Sequence, residues 1–372
     1  MVNLSQAQIA EHYYRIAEHL SGSGSDPERV GMHQYPAPDL RRGRGTLERL
    51  ASGYARGRYD NSAVTVRGIR GLVFDALEVA SERSWAKQIA MMLDSDTRTE
   101  THTWMGQVPQ FREHFGGILT AKINDFSLTV TNRDFEASIM ISKHDWRRDK
   151  IGQITRKVSE IAVRSETHWN ERVVLDVLEA NATAYDSVAF FAATHSIGDS
   201  GTLNNAFTSA TLPELAVSNS QRPTREEAAK ILFAAAAEFF VMTDDKGQPA
   251  NQGAQRFMLV CPPRMAPGFV QAVKDNLFQA GGSNSLQNLG WSFECVPEAR
   301  LTNASIAYLF RMDGASIKPI LLQDDVTLPL EVEALLEGSG HWIKNNEALI
   351  VAKTVRGFAP LEFRQSLRLT LS

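Results

Sequence analysis

The stretch FFAATHSIGDSGTLNN, residues 190–205, contains residue types that can perform acyl-transfer chemistry. His195, Asp199 and Ser200 lie within six positions, and Gly198 to Gly201 spell the Gly-Asp-Ser-Gly that surrounds the nucleophile of trypsin-like serine proteases. That chemistry needs a base, an acid and a nucleophile in a set order on a preformed scaffold. The order here matches no such triad, and a Gly-x-Ser-x-Gly elbow is absent. We therefore interpret the loop as a turn, in which the two glycines allow positive φ and the polar side chains bind backbone amides.

No other group of residues has the spacing of an active site. The sequence contains no phosphate-binding loop, no dinucleotide fingerprint and no His-Glu-x-x-His among its nine histidines. The acidic pairs Asp244–Asp245 and Asp324–Asp325 lie beside turn residues, which favours solvated turns over cation sites. Cys261 and Cys295 lack metal-ligand spacing, and two thiols in a long chain indicate a reducing compartment. We predict no catalytic residue, no cofactor and no metal.

The bulk composition is that of an ordinary globular protein. Of 372 residues, 43% are hydrophobic and 22% are charged, and the formal net charge of -4 gives no overall attraction for nucleic acid. No apolar run approaches the ~18 residues that a membrane span requires. The residues after Met1 do not have the pattern of a secretory leader. We therefore expect neither a membrane span nor a secretion signal.

The first 70 residues resemble an arm more than a domain. An amphipathic pattern over residues 4–20 ends in the flexible run Ser21–Ser25. Residues 41–70 contain eight Arg and no Lys, against Glu48 and Asp60. One interpretation is a solvated, mobile arm. The other is an arm that becomes ordered against a neighbouring subunit or a polyanion, because Arg pairs with carboxylate or phosphate through two hydrogen bonds.

Two elements further along the chain do not look complete by themselves. Residues 118–142 alternate in the manner of strands around a turn at 131–134, which predicts a β-hairpin. An isolated hairpin is marginally stable in water, and little in the neighbouring sequence could cover it, so we expect it to lie on something else. Apolar residues at steps of three and four over 151–181 predict one helix of ~30 residues and ~45 Å, a length typical of a spine.

The other segments predict a mixed α+β chain. Helices are expected within 71–93 and at 224–242 and 267–280. Strands are expected at 256–261, 291–296, 307–310, 317–322, 347–356 and 361–371.

Four segments, in this order, resemble the Mu-like phage major head subunit family, the gpT-type capsid proteins. The first is SDTRTETHTWMGQVPQFREHFGG, with its matching positions at Ser95, Glu100, Trp104, Gly106, Pro109 and Arg112. The second is TVTNRDFEASIMISKHDWRRDKIG, residues 129–152, with Asn132, Phe135 and Glu136. The third is the Phe-x-x-x-His loop that ends in Gly-Thr and Asn, where Ser196 replaces the usual Pro. The fourth is the closing RGFAPLEFRQSLRLTLS.

This resemblance implies the tailed-phage major capsid protein fold, known as the Hong Kong ninety-seven fold. In it the hairpin and the arm would lie on neighbouring subunits, and the long helix would be the spine of a peripheral domain. The implied parts are an N-terminal arm (1–70), peripheral-domain helices (71–97), an extended β-hairpin loop (98–150), the spine helix (151–184), an axial domain with a central sheet (185–325) and a return to the peripheral domain (326–372).

The implied function is that of a major capsid protein and not of an enzyme. The chain would self-assemble as hexamers and pentamers into the icosahedral shell around the double-stranded DNA of a tailed bacteriophage or Mu-like prophage. Partners would include a portal protein, a scaffold or head protease and a decoration protein. The protein would be assembled in the bacterial host cytoplasm and end in the virion. Residues expected at inter-subunit contacts are Arg41, Arg42, Arg44, Arg56, Arg58, Trp104, Arg112, Asn132, Arg133 and Phe135.

Three alternatives belong to other classes. One is an encapsulin-like compartment with the same fold and a cargo enzyme in place of DNA. Another is a serine hydrolase that uses His195 and Ser200. The third is a minor head or decoration protein.

Overall fold

The computed structural model describes residues 73, 76, 77, 84–106, 123–148, 153–274, 290–314, 317–325, 330–336 and 338–372. All of them lie in the unit Ser62–Ser372. Helices and strands are mixed along this part of the chain, which confirms the α+β class. The predicted arm, residues 1–70, lies outside the described residues.

The regular elements are as follows. The helices are α1 (Ala86–Ile89), α2 (Lys143–Arg148), α3 (Gln153–Arg172), α4 (Arg225–Val241), α5 (Ala266–Lys274) and α6 (Gly340–Asn345). A π-helical segment, Val173–Glu179, continues α3, and short 3-10 turns occupy Pro213–Leu215 and Phe363–Gln365. The strands are β1 (Ala90–Ser95), β2 (Thr99–Met105), β3 (Asp125–Thr131), β4 (Arg133–Ser142), β5 (Ala206–Phe207), β6 (Arg256–Cys261), β7 (Ser292–Pro297), β8 (Ile306–Arg311), β9 (Ile320–Asp325), β10 (Glu331–Leu335), β11 (Glu347–Pro360) and β12 (Ser366–Thr370).

The described strands form three sheets. Sheet 1 is five-stranded, with the order β1-β9-β11-β10 and with β4 also paired to β11. Sheet 2 is five-stranded, with the order β5-β12-β8-β6-β7. Strands β2 and β3 form a separate antiparallel pair, which we call the ribbon. Most neighbours in these sheets are distant in sequence, so long-range pairing decides the topology.

Sheet 2 is covered on both faces. On β6, Phe257, Leu259 and Cys261 belong to the same hydrophobic cluster as the buried faces of α4 and α5. Met258 and Val260, which point the other way, pack with the π-helical segment. Burial on both sides explains why RFMLVC is a continuous apolar run and not an alternating one.

The predicted long helix is confirmed as α3 and its π-helical continuation, from Gln153 to Glu179. Its first part packs on sheet 1 through Val158, Ile161 and Ala162. Its last part packs with strands of sheet 2 through buried residues that include Val173 and Val177. One helix therefore contacts both cores. The change to π geometry, which widens the turn and shifts the buried face, was not visible in the sequence.

The hairpin predicted within 118–142 is wrong in its pairing. Strands do lie on either side of Asn132, but β3 pairs with β2 and β4 pairs with β11. Alternation identifies a strand without identifying its neighbour. Pairing with β11 places Ile139 and Ile141 against the hydrophobic cluster that also contains α3, which a local hairpin would not do.

The prediction of one or two short helices within 71–93 fits α1, but residues 90–95 are a strand. They form β1, which pairs in parallel with β9. Its burial alternates along the strand, so an apolar spacing that also suited a short helix belongs to a strand here. The segments predicted at 224–242 and 256–261 are confirmed as α4 and β6.

Helix α4 begins with a capping box whose contribution can be measured. The Thr224 hydroxyl accepts from the Glu227 amide, and the Glu227 carboxylate accepts from the Thr224 amide. We expect Thr224→Ala to lower the free energy of unfolding by about 1 kcal/mol. Thr224→Ser keeps the hydroxyl and should change it much less. Urea unfolding followed by circular dichroism measures both, and equal losses would contradict a capping role.

Candidate functional site: the root of the ribbon

The ribbon has two chemically different faces. One face carries hydroxyl side chains that are all exposed, namely Thr99, Thr101, Thr103, Ser127, Thr129 and Thr131. These residues lie opposite one another in register, and the Thr101 and Thr129 hydroxyls are 2.9 Å apart. The face therefore presents a row of groups that can donate and accept hydrogen bonds.

The opposite face of the ribbon packs on the protein's own sheet 1. Leu128 and Val130 are buried together with Leu321, Ala359 and Leu361. We expected the paired strands to lack cover within their own chain, and for this face that expectation is wrong. The covering residues come from β9, the end of β11 and the residue after it, more than 180 positions away, so the neighbouring sequence did not reveal them.

A chain of aromatic contacts connects the ribbon to the interior. The ring centroids of Trp104 and Tyr185 are 5.2 Å apart in an edge-on arrangement. Tyr185 stacks on Phe363 at 5.8 Å, and Phe363 stacks on His195 at 3.8 Å. Burial, followed by the charge of Glu362, raises the pKa of Tyr185 well above its usual value, so its phenol stays neutral. The orientation of Trp104 is thus tied to buried rings, each pair of which contributes about 0.5–1.5 kcal/mol beyond its area.

Polar contacts fix the end of the ribbon. The Gly106 amide donates to the Asn124 carbonyl at 2.7 Å, and the Asn124 side-chain amide donates to Asp245 Oδ2 at 2.9 Å. Asp245 is 1% exposed, and its own carbonyl accepts from the Asp199 amide at 3.1 Å. A β-carbon at Gly106 would lie 2.5 Å from Asp245 Oδ2, so the close approach requires glycine. We call Gly106, Asn124 and Asp245 the clamp.

The loop at 190–205 is a turn next to this clamp. Gly198 and Gly201 have φ of 54° and 69°, which confirms the predicted positive φ. The Ser200 hydroxyl accepts from the Ile197 amide and donates to the Gly201 carbonyl. Its oxygen thus closes the turn and is not presented as a nucleophile.

His195 is buried and both of its ring nitrogens face acceptors. Nδ1 lies 2.5 Å from Asp186 Oδ2, and Nε2 lies 3.3 Å from the Phe190 carbonyl oxygen. Neither nitrogen is available as a base toward Ser200. His195 holds the start of the loop in place, and the hydrolase alternative has no support in this geometry.

The two acidic pairs have different environments from those predicted. Asp244 does lie in a turn, where its Oδ1 accepts from the Lys246 and Gln248 amides, but it is 8% exposed and not solvated. Asp324 and Asp325 lie within β9, so the turn prediction is wrong there. Across the described residues, no cluster of three or more His, Cys, Asp or Glu could hold a metal ion, and no helix is long and apolar enough to cross a membrane.

The long helix is joined to sheet 1 by a buried charge. Arg356 is 3% exposed, lies over the Trp169 ring at 4.0 Å and donates to the Ser165 carbonyl. Burial and the nearby Arg356 lower the pKa of His168 to about 4. Burial raises the pKa of Asp324 to about 6, although Arg356 directly across the sheet opposes this. Arg356 Nε and Asp324 Oδ1 are 3.8 Å apart, so the two residues form an ion pair, but these two atoms form no hydrogen bond.

Four of the ten residues predicted at inter-subunit contacts are described. Trp104 packs in the aromatic chain, and Asn132 is buried and donates to Ser95 Oγ and the Thr97 carbonyl. Phe135 packs edge-on against His168. Arg133 forms an ion pair with Asp176, and its side chain remains 46% exposed. Within the subunit, Asn132 therefore has a structural role. The remaining six, Arg41, Arg42, Arg44, Arg56, Arg58 and Arg112, lie outside the described residues.

The sequence did not single out Tyr185 or Phe363 at the ribbon root, and it placed Asp245 in a solvated turn, whereas Asp245 is buried. Tyr185, Phe363 and Asp245 come from three separate segments and meet Trp104 and Gly106 only in the tertiary structure. The one available signal was Gly106 in the segment that resembles the head-subunit family.

The clamp can be tested with two glycine substitutions. Gly106→Ala places a methyl group against the buried Asp245 carboxylate and should lower the unfolding temperature of the unassembled subunit by several degrees. Gly340→Ala is the matched control, because a β-carbon there meets no atom within 4 Å. Differential scanning calorimetry measures both. Equal unfolding temperatures for the two variants would contradict the clamp.

We call the contacts of Arg356 and Asp324 of sheet 1 with His168 and its neighbours on the long helix the helix–sheet junction. The pKa shifts there lead us to expect opposite pH responses in two variants. Between pH 6.5 and 4 the unfolded chain protonates His168 before the folded chain does, so acidification destabilises the fold. Asp324 acts oppositely, because its folded pKa of about 6 lies above the unfolded value and the folded state takes up the proton first. Asp324→Asn should therefore steepen the loss of unfolding temperature from pH 7 to pH 5, and His168→Gln should reduce it.

The control for these two variants is Glu294→Gln, which removes an exposed carboxylate on β7 and should follow the unmodified protein. Thermal unfolding at pH 7, 6 and 5 gives the three slopes. Parallel slopes for Asp324→Asn and His168→Gln would show that the junction does not titrate in this way.

Comparison with known proteins identifies relatives of this chain. Residues 72–223 match the family described as Mu-like prophage major head subunit gpT. Over 112 residues, 30% of this chain, the identity to the major capsid protein of Escherichia phage Mu is 27%, and the match spans 36% of that relative. Over 122 residues, 32% of this chain, the identity to the Mu-like prophage FluMu major head subunit of Haemophilus influenzae is 25%, spanning 39% of that relative.

Among solved structures, the capsid of Cyanophage P-SCSP1u has a TM-score of 0.49 at 12% identity, covering 78% of this chain and 88% of that one. The sequence matches span little more than a third of the curated relatives. The matched residues include the ribbon, the long helix and most of the loop region that follows it. The predicted resemblance is therefore confirmed: over residues 72–223 this chain is similar to the major head subunit gpT of Mu-like prophages, a family of structural proteins and not of enzymes.

Proposed function

We propose that the chain is the major capsid protein of a tailed bacteriophage or Mu-like prophage. The observation that carries this proposal is the match of residues 72–223 to the Mu-like major head subunit family. Copies of the chain, folded in the Hong Kong ninety-seven manner, would assemble as hexamers and pentamers into an icosahedral shell around double-stranded DNA. The protein would be made and assembled in the host cytoplasm and end in the virion.

The ribbon supports the assembly proposal. Its root is fixed by the clamp and by the aromatic chain, while the side chains of its hydroxyl face are exposed and pair with one another across the ribbon. Met105, at the end of β2, is 69% exposed. A rigid root with an open face is suited to carry a contact to the next copy, and repeated heterologous contacts of this kind close into rings. Many weak contacts of one type then add to a stable shell.

The remaining parts of the proposal follow from the resemblance. Residues 98–150 would include the extended loop, with β2 and β3 as its two strands, and residues 185–325 would form most of the axial domain around sheet 2. Portal protein, scaffold or head protease and decoration protein are proposed partners. The protein is proposed to act without a membrane or a cofactor.

Electron microscopy of the full-length chain after expression tests the proposed function. We expect closed shells, and small oligomers alone would contradict it. Nucleic acid and cargo protein in particles isolated from the native host then separate a phage head, which holds DNA, from an encapsulin-like compartment, which holds an enzyme. Copy number per particle separates a major subunit from a minor head or decoration protein.

Deletion of residues 1–70 tests the role of the arm. We expect a soluble subunit that forms no closed shells, because the contacts that the arm makes with other copies are lost. Thermal unfolding of the truncated subunit provides the control, since the described residues should keep their cooperative transition. Normal shells from this variant would contradict the proposed role of the arm.

A further inference from the structure

One face of sheet 1 lies toward its core. On the other face the ribbon covers β9 and the end of β11, and residues of β4 and β10 are exposed. Along β11, Ala348, Ile350 and Ala352 lie in the cluster that contains α3. Because side chains alternate along a strand, Leu349, Val351 and Lys353 lie on the other side. We call this other side of β4, β10 and β11 the outer face.

The outer face carries an exposed apolar row. Met140 on β4 lies opposite Leu349, which in turn lies opposite Leu335 on β10. Met140 is 67% exposed and Leu335 is 43% exposed, and Leu349 and the adjacent Val351 are partly exposed. Apolar side chains that touch across three strands form a continuous patch, and contiguous patches of this kind usually mark contact surfaces.

The rest of the outer face is acidic. Glu136 on β4 and Glu331 on β10 lie directly on either side of Lys353, whose amino group is 3.4 Å from the carboxylate of Glu333. Asp134 lies on the same face, two residues before Glu136. Glu347, at the start of β11, lies on this face as well. Five carboxylates thus share one cation among the described residues of these three strands. The single lysine leaves this face with a net negative charge. Such a face attracts a partner with an excess of positive charge.

The chain itself contains a stretch of complementary composition. Residues 41–70 have eight Arg, no Lys and two acidic residues, and they also carry Leu47, Leu50 and Tyr54. Guanidinium groups bind carboxylates through two parallel hydrogen bonds, which suits a surface of spaced carboxylates. The apolar residues of the same stretch could pack on the exposed apolar row. In an assembly of identical copies, each copy supplies one face and one stretch, so the pairing repeats throughout.

We propose that the outer face of sheet 1 is the docking surface for the arginine-rich stretch 41–70 of a second copy. This rests on the proposed function, because it requires an assembly of identical subunits. It assigns the arginines to a protein partner, and their binding to DNA becomes an alternative outcome of the test.

Charge exchange tests the proposal in the full-length chain. Glu136→Lys with Glu333→Lys should lower the yield of closed particles about tenfold, the size of effect expected when like charges replace a complementary pair. Arg56→Glu with Arg58→Glu should do the same. Combining all four changes should restore most of the yield. Particles are counted by sedimentation and electron microscopy at low ionic strength.

Controls separate docking from folding. Glu136→Gln with Glu333→Gln removes the attraction without adding repulsion and should give an intermediate yield. Glu294→Lys reverses an exposed charge on β7 of sheet 2 and should leave the yield unchanged. Unfolding temperatures of the unassembled variants verify that each one folds. Failure of the four-fold variant to recover, with all variants folded, would overturn the proposal.

Photocrosslinking identifies the occupant directly. A benzoylphenylalanine in place of Ser138, which is exposed on the outer face between Glu136 and Met140, should crosslink to peptides from residues 41–70. Assembly from a mixture of isotopically light and heavy subunits should give crosslinked peptide pairs in which one peptide is light and the other is heavy. Such pairs show that the crosslink joins two copies. Crosslinks to the same copy, to another segment or to packaged DNA alone would overturn the proposal while leaving the shell function intact. Absence of particles from the unmodified chain would instead count against the proposed function.

Discussion

The backbone pairing of β11 is the constraint on which the rest of the described structure depends. This strand of 14 residues pairs with β4 and β10 along its first part and with β9 along its last part. Its buried backbone groups need these partners, because an unpaired amide or carbonyl in a core is costly. The same strand places Ile350 beneath α3 and Arg356 over Trp169. The strand order of sheet 1 and the position of the long helix on it therefore follow from one strand.

The ribbon depends on the same strand. Gly357 of β11 allows Val130 and Asn132 to approach, since a β-carbon there would lie 2.8 Å from atoms of both. Asn132 then ends the ribbon by binding Ser95 Oγ and the Thr97 carbonyl, and β4 begins at the next residue. The ribbon and sheet 1 are thus joined over a single residue.

Prediction of the candidate site from the sequence was uneven. The long helix, α4 and the positive φ of Gly198 and Gly201 follow from local patterns, and the structure contains them. The partners of Trp104 and the clamp could not be predicted, because they depend on side chains brought together from distant segments. The alternating segment on either side of Asn132 shows the same limit, because strand periodicity does not specify a partner.

The sequence by itself determined several of the helices and strands, among them the long helix, α4 and β6, since the spacing of apolar residues reflects which side of an element is buried. It also determined, through the order of four segments, the family that the chain resembles. The sequence also predicted that the GDSG loop is a turn. Only the tertiary structure decided that His195 and Asp186 hold this turn, and that β2, not β4, is the partner of β3. The physical reason is that pairing and burial are settled by contacts between residues far apart in the chain, which no local pattern records.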